Sequence, residues 1–316
     1  MNWKVPVILD TDIGIDMDDT WALGLLLQCQ ELDLQLITTA TGDTEYRTKI
    51  AAKFVDAAGY TVPIGIGKPT AYEVKPQEQW VKDYDLFLYS GGEIYKDGVG
   101  ALIDVVRNSP EPVTIVCIGP LTNIAEALDR CPAIADNAKI VSMAGSIKKD
   151  VHGIDGKVAE WNIAQDIRAA QKVFSAKWPI SITPLDTCGM VILRGEDYQK
   201  VHCSPNMIPQ LIMQNYEVWD KAYGLNKFKI ESSVLYDTVA VHMACRHDYL
   251  RMEALKLEIT DDGYMQEDER GKEILCALEW NDLIAFESYL IEKLIGNLEV
   301  DCKEIDRSGS YTAGYN

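Results

Sequence analysis

The stretch from Val7 to Asp19 constrains the chain most, because it joins a buried strand, a turn and a helix start to five carboxylates. The apolar run Val7-Ile8-Leu9 is typical of a strand buried on both faces. Gly14 permits a tight turn, and the pattern becomes helical from Thr20. The acidic side chains predicted to crowd this strand end and the first helical turn are Asp10, Asp12, Asp16, Asp18 and Asp19.

Such crowding needs a physical cause. Two unit charges ~4 Å apart repel by about 4 kcal/mol at the effective dielectric of a protein surface. A helix N-terminus offsets only about 0.3–1 kcal/mol of this for each charge. The remainder requires a bound cation or raised pKa values, and an oxygen-only ligand set favours a hard divalent ion. The alternative is that Asp18 or Asp19 caps the helix while the other carboxylates are solvated.

Apolar runs alternate with helical patterns along most of the chain. This alternation predicts an α/β fold, with a Rossmann-like, mostly parallel sheet and helices on both faces. In such sheets ligands bind at the carboxyl ends of the strands, where the first acidic stretch lies. The predicted strands after the first cover residues 34–40, 63–67, 113–118, 139–143 and 180–185.

No internal repeat or linker divides the chain, so we expect one domain over residues 1–306 and a loosely ordered tail over 307–316. The sequence enters its first strand at once, which leaves no room for a signal peptide, and no apolar run reaches the ~18 residues of a membrane span. The eight cysteines have no CxxC spacing, which argues against zinc or iron–sulfur sites. We therefore expect a cytoplasmic protein.

The charge balance limits the partners. Lys and Arg number 30 against 49 Asp and Glu, which gives a net charge of −19. Such a surface repels nucleic-acid backbones and anionic membranes, so we expect neither as a partner.

Polar residues also follow several later predicted strands or begin later helices. Together with the first acidic stretch they form an oxygen-only metal site beside groups suited to binding hydroxyls. A cation that polarises a water, with a carboxylate to take its proton, indicates hydrolytic chemistry. The constellation consists of Asp10, Asp12, Asp18, Asp19, Asp43, Thr122, Glu160, Asn162 and Asp237.

Four motifs within this set resemble those of the inosine–uridine-preferring nucleoside hydrolase family, and they occur in the family's order. The motifs are Asp10-Thr11-Asp12-Ile13-Gly14 with Asp18-Asp19, Gly119-Pro120-Leu121-Thr122-Asn123, Glu160-Trp161-Asn162, and Tyr236-Asp237. The resemblance implies a calcium-dependent enzyme that cleaves the N-glycosidic bond of ribonucleosides by attack of a metal-bound water. It also implies a nucleoside substrate and a homodimer or homotetramer.

The resemblance assigns roles to individual positions. It implies that the calcium ligands are the side chains of Asp12, Asp19 and Asp237 and the backbone carbonyl of Thr122. Asp12 matches the general base as well, and Asp10 matches a carboxylate that supports the ligands from behind. The positions implied or proposed as substrate contacts are Asp18, Asp43, Glu160, Asn162, Trp161 and Met143.

The chain departs from the family pattern at three points. Asp16-Met17 is interposed before the Asp18-Asp19 pair, and Asp43 stands where an Asn is usual. Tyr236 replaces the His that often precedes the last calcium ligand. A tyrosine could protonate the leaving base or only stack on it, so Tyr236 is a candidate catalytic residue and the base preference stays open.

Alternative interpretations remain. Asp10-x-Asp12 also fits a haloacid-dehalogenase-like phosphatase, and a non-catalytic calcium- or ribose-binding relative would keep the same acidic residues. An EF-hand is excluded, because its sixth and twelfth positions would be Ile15 and Trp21. Loop residues that could contact a base are Trp80, Tyr89, Trp219, Tyr223 and Asn226.

Overall fold

The computed structural model describes residues 4–72, 74–151 and 153–296, and ten strands within these ranges form one sheet. The tail expected over residues 307–316 lies outside the described residues. The strands, in chain order, are β1 (Val5–Thr11), β2 (Leu32–Thr39), β3 (Ile64–Ile66), β4 (Ile94–Tyr95), β5 (Val113–Cys117), β6 (Ala138–Met143), β7 (Ile180–Thr183), β8 (Leu250–Ile259), β9 (Met265–Glu267) and β10 (Lys272–Trp280).

The sheet has the order β4-β3-β2-β1-β5-β6-β7-β10-β8-β9. Every neighbouring pair from β4 to β10 is parallel, whereas β8 pairs antiparallel with β10, and β9 with β8. The chain builds outward from β1 in one direction through β2 to β4 and then in the other through β5 to β7. The strand order thus reverses beside β1, and the carboxyl ends of β1 and β5 form the crevice where open α/β sheets bind ligands.

Helices cover both faces of this sheet. The described helices are α1 (Asp18–Gln28), α2 (Thr44–Ala57), α3 (Glu78–Val81), α4 (Gly98–Asn108), α5 (Thr122–Arg130), α6 (Trp161–Ala164), α7 (Ile167–Ser175), α8 (Leu185–Cys188), α9 (Gly195–His202), α10 (Met207–Tyr223), α11 (Tyr236–Cys245) and α12 (Leu283–Ile295). None of them is both long and apolar enough to span a membrane.

The core lies in two layers separated by the sheet, and β1 contributes to both. Val7 and Leu9 pack into the layer that contains α1, α10, α11 and α12, whereas Ile8 packs into the layer of α4, α5 and α7. Successive side chains of a strand point to opposite faces, so a strand with both faces covered is a continuous apolar run. This packing is why the first strand could be recognised from its sequence.

The predicted α/β fold with a mostly parallel sheet and helices on both faces is confirmed. The expected strand over residues 113–118 is β5. The aromatic segment that follows β3 contains the short elements α3 and β4. A strand of two residues is too short for a periodic signal, so β4 could not be identified from the pattern.

Candidate active site

A cavity of about 450 Å³ opens at the carboxyl end of β1. Its lining combines carboxylates with apolar and aromatic side chains: Asp12, Ile15, Asp16, Asp18, Asp19, Tyr72, Ile118, Met143, Val151, Val158, Ala159, Glu160, Trp161, Asn162, Ala164, Leu185, Tyr236 and Asp237. A larger groove of about 760 Å³ lies at the opposite edge of the sheet, near Pro6, Asp33 and Glu111, and includes none of these carboxylates. The chemistry of the lining, rather than volume, therefore identifies the candidate site.

Three carboxylates meet within this cavity. Asp18 and Asp19 are the first residues of α1, and Asp237 is the second residue of the neighbouring α11. One oxygen from each lies within 4.8 Å of the others, and all three side chains are buried. Asp12 lines the same cavity. The structure thus adds Asp18 to the pair Asp19 and Asp237, and we call Asp18, Asp19 and Asp237 the carboxylate cluster.

The carboxylate cluster is electrostatically strained without a cation. Burial raises the pKa of Asp18 well above its usual range, and the charge of Asp16 adds to this. Burial likewise raises the pKa of Asp19, assisted by the charge of Asp12, and that of Asp237, assisted by Asp18. An oxygen-only set of this kind favours a hard divalent cation, which would relieve the repulsion.

Arg47 lies beneath the turn that follows β1 and is almost fully buried. Its guanidinium donates to the backbone carbonyls of Asp12, Ile13 and Thr41. This cation therefore hydrogen-bonds to the backbone, while its charge partly opposes the rise that burial causes in the pKa of Asp12. Arg47 was not predicted as a site residue, since an arginine near the start of a helix is not a distinctive signal.

Asp10 lies directly behind the cavity, at the end of β1, and is fully buried. One carboxylate oxygen accepts from the Thr38 hydroxyl and from Asn123 Nδ2, the latter at 2.8 Å. The other oxygen has no partner within the part of the chain that is described. Burial raises the pKa of Asp10 to about 7. Asp10 is thus held rigidly by neutral donors.

Glu160 and Asn162 form the wall beyond β6. Glu160 precedes α6 and accepts from the backbone N–H groups of Asn162, Ile163 and Gly145 at 2.8, 3.3 and 3.0 Å. Asn162 Nδ2 donates to the carbonyl of Met143 at 3.0 Å, which orients the amide. Burial raises the pKa of Glu160 to about 7. Glu160 is therefore a buried helix cap that also lines the cavity.

Aromatic side chains flank the mouth of the cavity. Trp161 is 42% exposed, and its indole opposes the rise that burial causes in the pKa of Asp12. The Tyr72 ring meets the Trp161 ring edge-on, with centroids 5.4 Å apart. Tyr72 was not predicted as a site residue, because its approach to Trp161 depends on the tertiary path of the loop.

Tyr236 begins α11 and lines the cavity beside the carboxylate cluster. Burial raises the pKa of its hydroxyl above the ordinary value, and the charge of Asp18 adds to this effect. The hydroxyl therefore stays protonated at neutral pH.

The turn that carries Asp16 is fastened by residues from distant segments. Trp219 Nε1 donates to the carbonyl of Ile15 at 2.8 Å, and Gln77 Nε2 donates to that of Asp16 at 2.7 Å. Trp219, expected as a base contact, is buried and holds this turn instead. Gln77 is also fully buried and gave no recognisable sequence signal.

Other predicted residues lie near but outside the cavity lining. Thr122 begins α5 and donates its hydroxyl to Asp166 at 2.8 Å. Asp43 caps α2, forms an ion pair with Lys75 at 2.5 Å and lines a neighbouring groove that shares Tyr72 with the cavity. Trp80 is buried in the core rather than facing the cavity.

A family model described as inosine-uridine preferring nucleoside hydrolase matches residues 7–309. The non-specific ribonucleoside hydrolase RihC of Escherichia coli (strain SMS-3-5 / SECEC) is 34% identical over 200 residues, which are 60% of this chain and 64% of the relative. RihC of Salmonella agona (strain SL483) is 35% identical over 212 residues, 64% of this chain and 67% of the relative. The alignment with the Escherichia coli relative thus spans slightly less than two thirds of its length.

Solved structures resemble the fold over nearly its whole length. The plant nucleoside hydrolase PpNRh1 enzyme has a TM-score of 0.78 at 21% identity, covering 93% of this chain and 100% of its own. The purine-preferring ribonucleoside hydrolase from Gardnerella vaginalis has a TM-score of 0.74 at 23% identity, covering 92% and 98%. At these identities the likeness establishes the shared fold.

Proposed function

Since the chain belongs to the inosine-uridine preferring nucleoside hydrolase family, we propose that it hydrolyses the N-glycosidic bond of ribonucleosides to ribose and the free base. The observation that carries this proposal is the carboxylate cluster, which meets at the carboxyl edge of the sheet within a cavity of about 450 Å³. A cavity of this size fits a small molecule such as a nucleoside.

The buried carboxylates of the cavity fit a divalent metal ion, and we assign this ion as Ca²⁺. Their donors are all oxygen, they are buried together, and the adjacent Arg47 hydrogen-bonds to backbone carbonyls rather than to the carboxylates. The proposed ligands are the side chains of Asp12, Asp19 and Asp237 and the backbone carbonyl of Thr122, with Asp18 beside them. The bound ion would supply Lewis acidity toward a water and toward sugar hydroxyls.

Asp12 is the proposed general base. Arg47 binds its backbone carbonyl and its carboxylate lines the cavity, which supports the role of proton acceptor from the attacking water. Cleavage of the N-glycosidic bond builds positive charge on the ribosyl ring. The surrounding carboxylates stabilise that charge, which lowers the barrier relative to the neutral substrate.

The sugar is held by polar groups on two walls of the cavity. Asn162 donates to Met143, so its amide oxygen is oriented to accept from a ribose hydroxyl. Glu160 and Asp18 supply further acceptors, with Asp10 supporting the site from behind. Asp43, in the adjoining groove, would reach the substrate only if it left its ion pair with Lys75.

We place the leaving base toward the aromatic mouth formed by Tyr72 and Trp161. Met143 also lines the cavity. Tyr236 keeps its hydroxyl proton at neutral pH, and we assign it the role of proton donor to the leaving base. This role replaces that of the histidine usual in the family.

A reducing-sugar assay over purine and pyrimidine ribonucleosides tests the proposal. We expect free ribose to be released, to be lost on chelation and to be restored by added calcium. Asp237→Ala should abolish release, whereas Asp248→Ala, which removes an exposed carboxylate after the same helix, should not. Phosphate release from p-nitrophenyl phosphate with magnesium would favour the phosphatase alternative instead. Ribose binding without turnover of any nucleoside would favour the non-catalytic one.

Three further expectations stay predictions. These are one domain over residues 1–306, assembly as a homodimer or homotetramer, and a cytoplasmic location. The single sheet that runs through the described residues supports the first of them.

A further inference from the structure

A second group of reactive side chains lies at the far ends of the two helices that carry the carboxylate cluster. Cys29 directly follows α1, and Cys245 is the last residue of α11. The sulfur atoms of Cys29 and Cys245 and one carboxylate oxygen of Glu31 lie within 4.8 Å of one another. We call these three residues the thiol cluster.

The two thiols are near neighbours. The Cys29 and Cys245 sulfur atoms lie within 4.8 Å of each other, and the Tyr289 hydroxyl lies 3.7 Å from Cys29 Sγ. Cys29 is 3% exposed, whereas Cys245 is half-buried and gives a small reagent an approach to the pair. A disulfide has an S–S length of about 2.05 Å, so closure requires the two sulfur atoms to approach each other by less than about 3 Å.

Two cations flank the thiol cluster. Arg246 and Lys293 form ion pairs with Glu31 at 3.0 and 3.1 Å. The C-terminal ends of helices disfavour a thiolate, and these cations oppose that effect. The hydrogen bond with Cys245, followed by that with Tyr289 and the charge of Lys293, lowers the pKa of Cys29 against the effect of burial. Because Glu31 is already engaged by two cations, oxidation is favoured over capture of a metal ion.

We infer that Cys29 and Cys245 are a redox-active pair. A peroxide oxidises the two thiols to a disulfide, which cross-links the ends of α1 and α11. The Cys29 thiolate attacks one peroxide oxygen, the O–O bond breaks, and hydroxide leaves as the sulfenic acid forms. Cys245 sulfur then attacks Cys29 sulfur, and the sulfenic oxygen leaves as water with the thiol proton. Two thiols and one hydrogen peroxide give one disulfide and two waters.

The cross-link would join segments that are far apart in sequence. Helices of this length extend about 15 Å, so the disulfide lies a full helix away from the carboxylate cluster. It would restrain the packing of the same two helices whose first turns hold that cluster. Because it closes a long loop, we expect a rise in the thermal midpoint of about 3–10 °C in the oxidised protein.

The test uses the full chain carrying Cys302→Ser, because Cys302 lies outside the described residues and could compete. The protein is treated with hydrogen peroxide, alkylated, digested without reduction and analysed by mass spectrometry. We expect a peptide pair linked through Cys29 and Cys245, loss of two titratable thiols, and reversal of both by dithiothreitol. The thermal midpoint should rise on oxidation and fall back on reduction.

Cys131→Ser provides a matched control, since Cys131 is a partly exposed cysteine that also follows a helix. It should leave the cross-link intact, whereas Cys29→Ser and Cys245→Ser should each abolish it together with the thermal shift. If Cys29 and Cys245 both still react with the alkylating reagent after peroxide treatment, the inference is overturned. This readout needs no variant. Zinc that co-purifies with the protein and protects both thiols until it is chelated would overturn it as well.

Discussion

Arg47 and Asp12 interact through the backbone of Asp12, whose carbonyl accepts from the buried guanidinium while its carboxylate faces the cavity. This division lets one cation fix the acidic turn, while its charge only partly opposes the rise that burial causes in the pKa of Asp12. An ion pair with the carboxylate would instead compete with any bound metal. The site therefore combines a rigid backbone with available ligands.

Replacing Arg47 with Met should destabilise the protein strongly. The substitution leaves three buried carbonyls without their donor, and we expect a loss of about 2–5 kcal/mol in the free energy of unfolding. Arg130→Met, which removes exposed ion pairs with Asp97 and Glu126, should cost less than about 1 kcal/mol. Urea unfolding measures both, and equal losses would contradict the structural role given to Arg47.

Asp12→Asn should remove catalysis while retaining the metal. The amide keeps an oxygen ligand but cannot accept the proton of the attacking water. We therefore expect kcat for ribose release to fall by about 10²- to 10⁴-fold. Calcium binding, measured by titration calorimetry, should persist. Turnover near the wild-type rate would remove Asp12 from its proposed role.

Tyr236→Phe should separate substrates by their leaving groups. The hydroxyl is protonated at neutral pH, so its loss should lower kcat for purine ribonucleosides by at least about 100-fold. A p-nitrophenyl riboside, whose phenolate leaves without protonation, should be cleaved at an unchanged rate. If both substrates slow equally, Tyr236 supports the cavity by packing and does not donate a proton.

Stability of the chelated protein should fall as the pH rises. Burial raises the pKa of both Asp10 and Glu160 to about 7, so the folded state binds more protons than the unfolded state above about pH 4. The stability that these two protonated carboxyl groups contribute to the folded state is fully present below about pH 4, and it is lost as the pH rises through about 7. Thermal midpoints in chelator should therefore be lower at about pH 8 than at about pH 5.

Calcium should raise the midpoint most at the higher pH, where more of the buried carboxylates are ionised. Glu160→Gln should flatten the dependence in chelator, because it removes one of the two titrating groups. A midpoint that climbs with pH in chelator would contradict this account.

The fold could be predicted because its central strands are buried on both faces and leave continuous apolar runs. Val7-Ile8-Leu9 is the example, with its side chains divided between two core layers. The acidic positions could also be grouped in advance, since parallel strands end at one edge. Membership of the nucleoside hydrolase family, expected from four motifs, is confirmed.

The supporting contacts could not be predicted, because they join distant segments through backbone groups. Arg47, Gln77 and Trp219 each donate to a carbonyl near the acidic turn, and a carbonyl acceptor leaves no trace in residue type. Trp219 was expected to contact a base, and its hydrogen bond to the Ile15 carbonyl could not be foreseen from residue type. Tyr72 likewise gains its position only from the path of its loop.

The helices that supply Asp19 and Asp237 are among the earliest and latest elements of the described chain. A ribosome-bound or proteolysed fragment that ends before α11 therefore contains most of the sheet yet only part of the ligand set. Ion binding at the carboxylate cluster should accordingly require a chain that extends at least through α11, since α11 supplies Asp237.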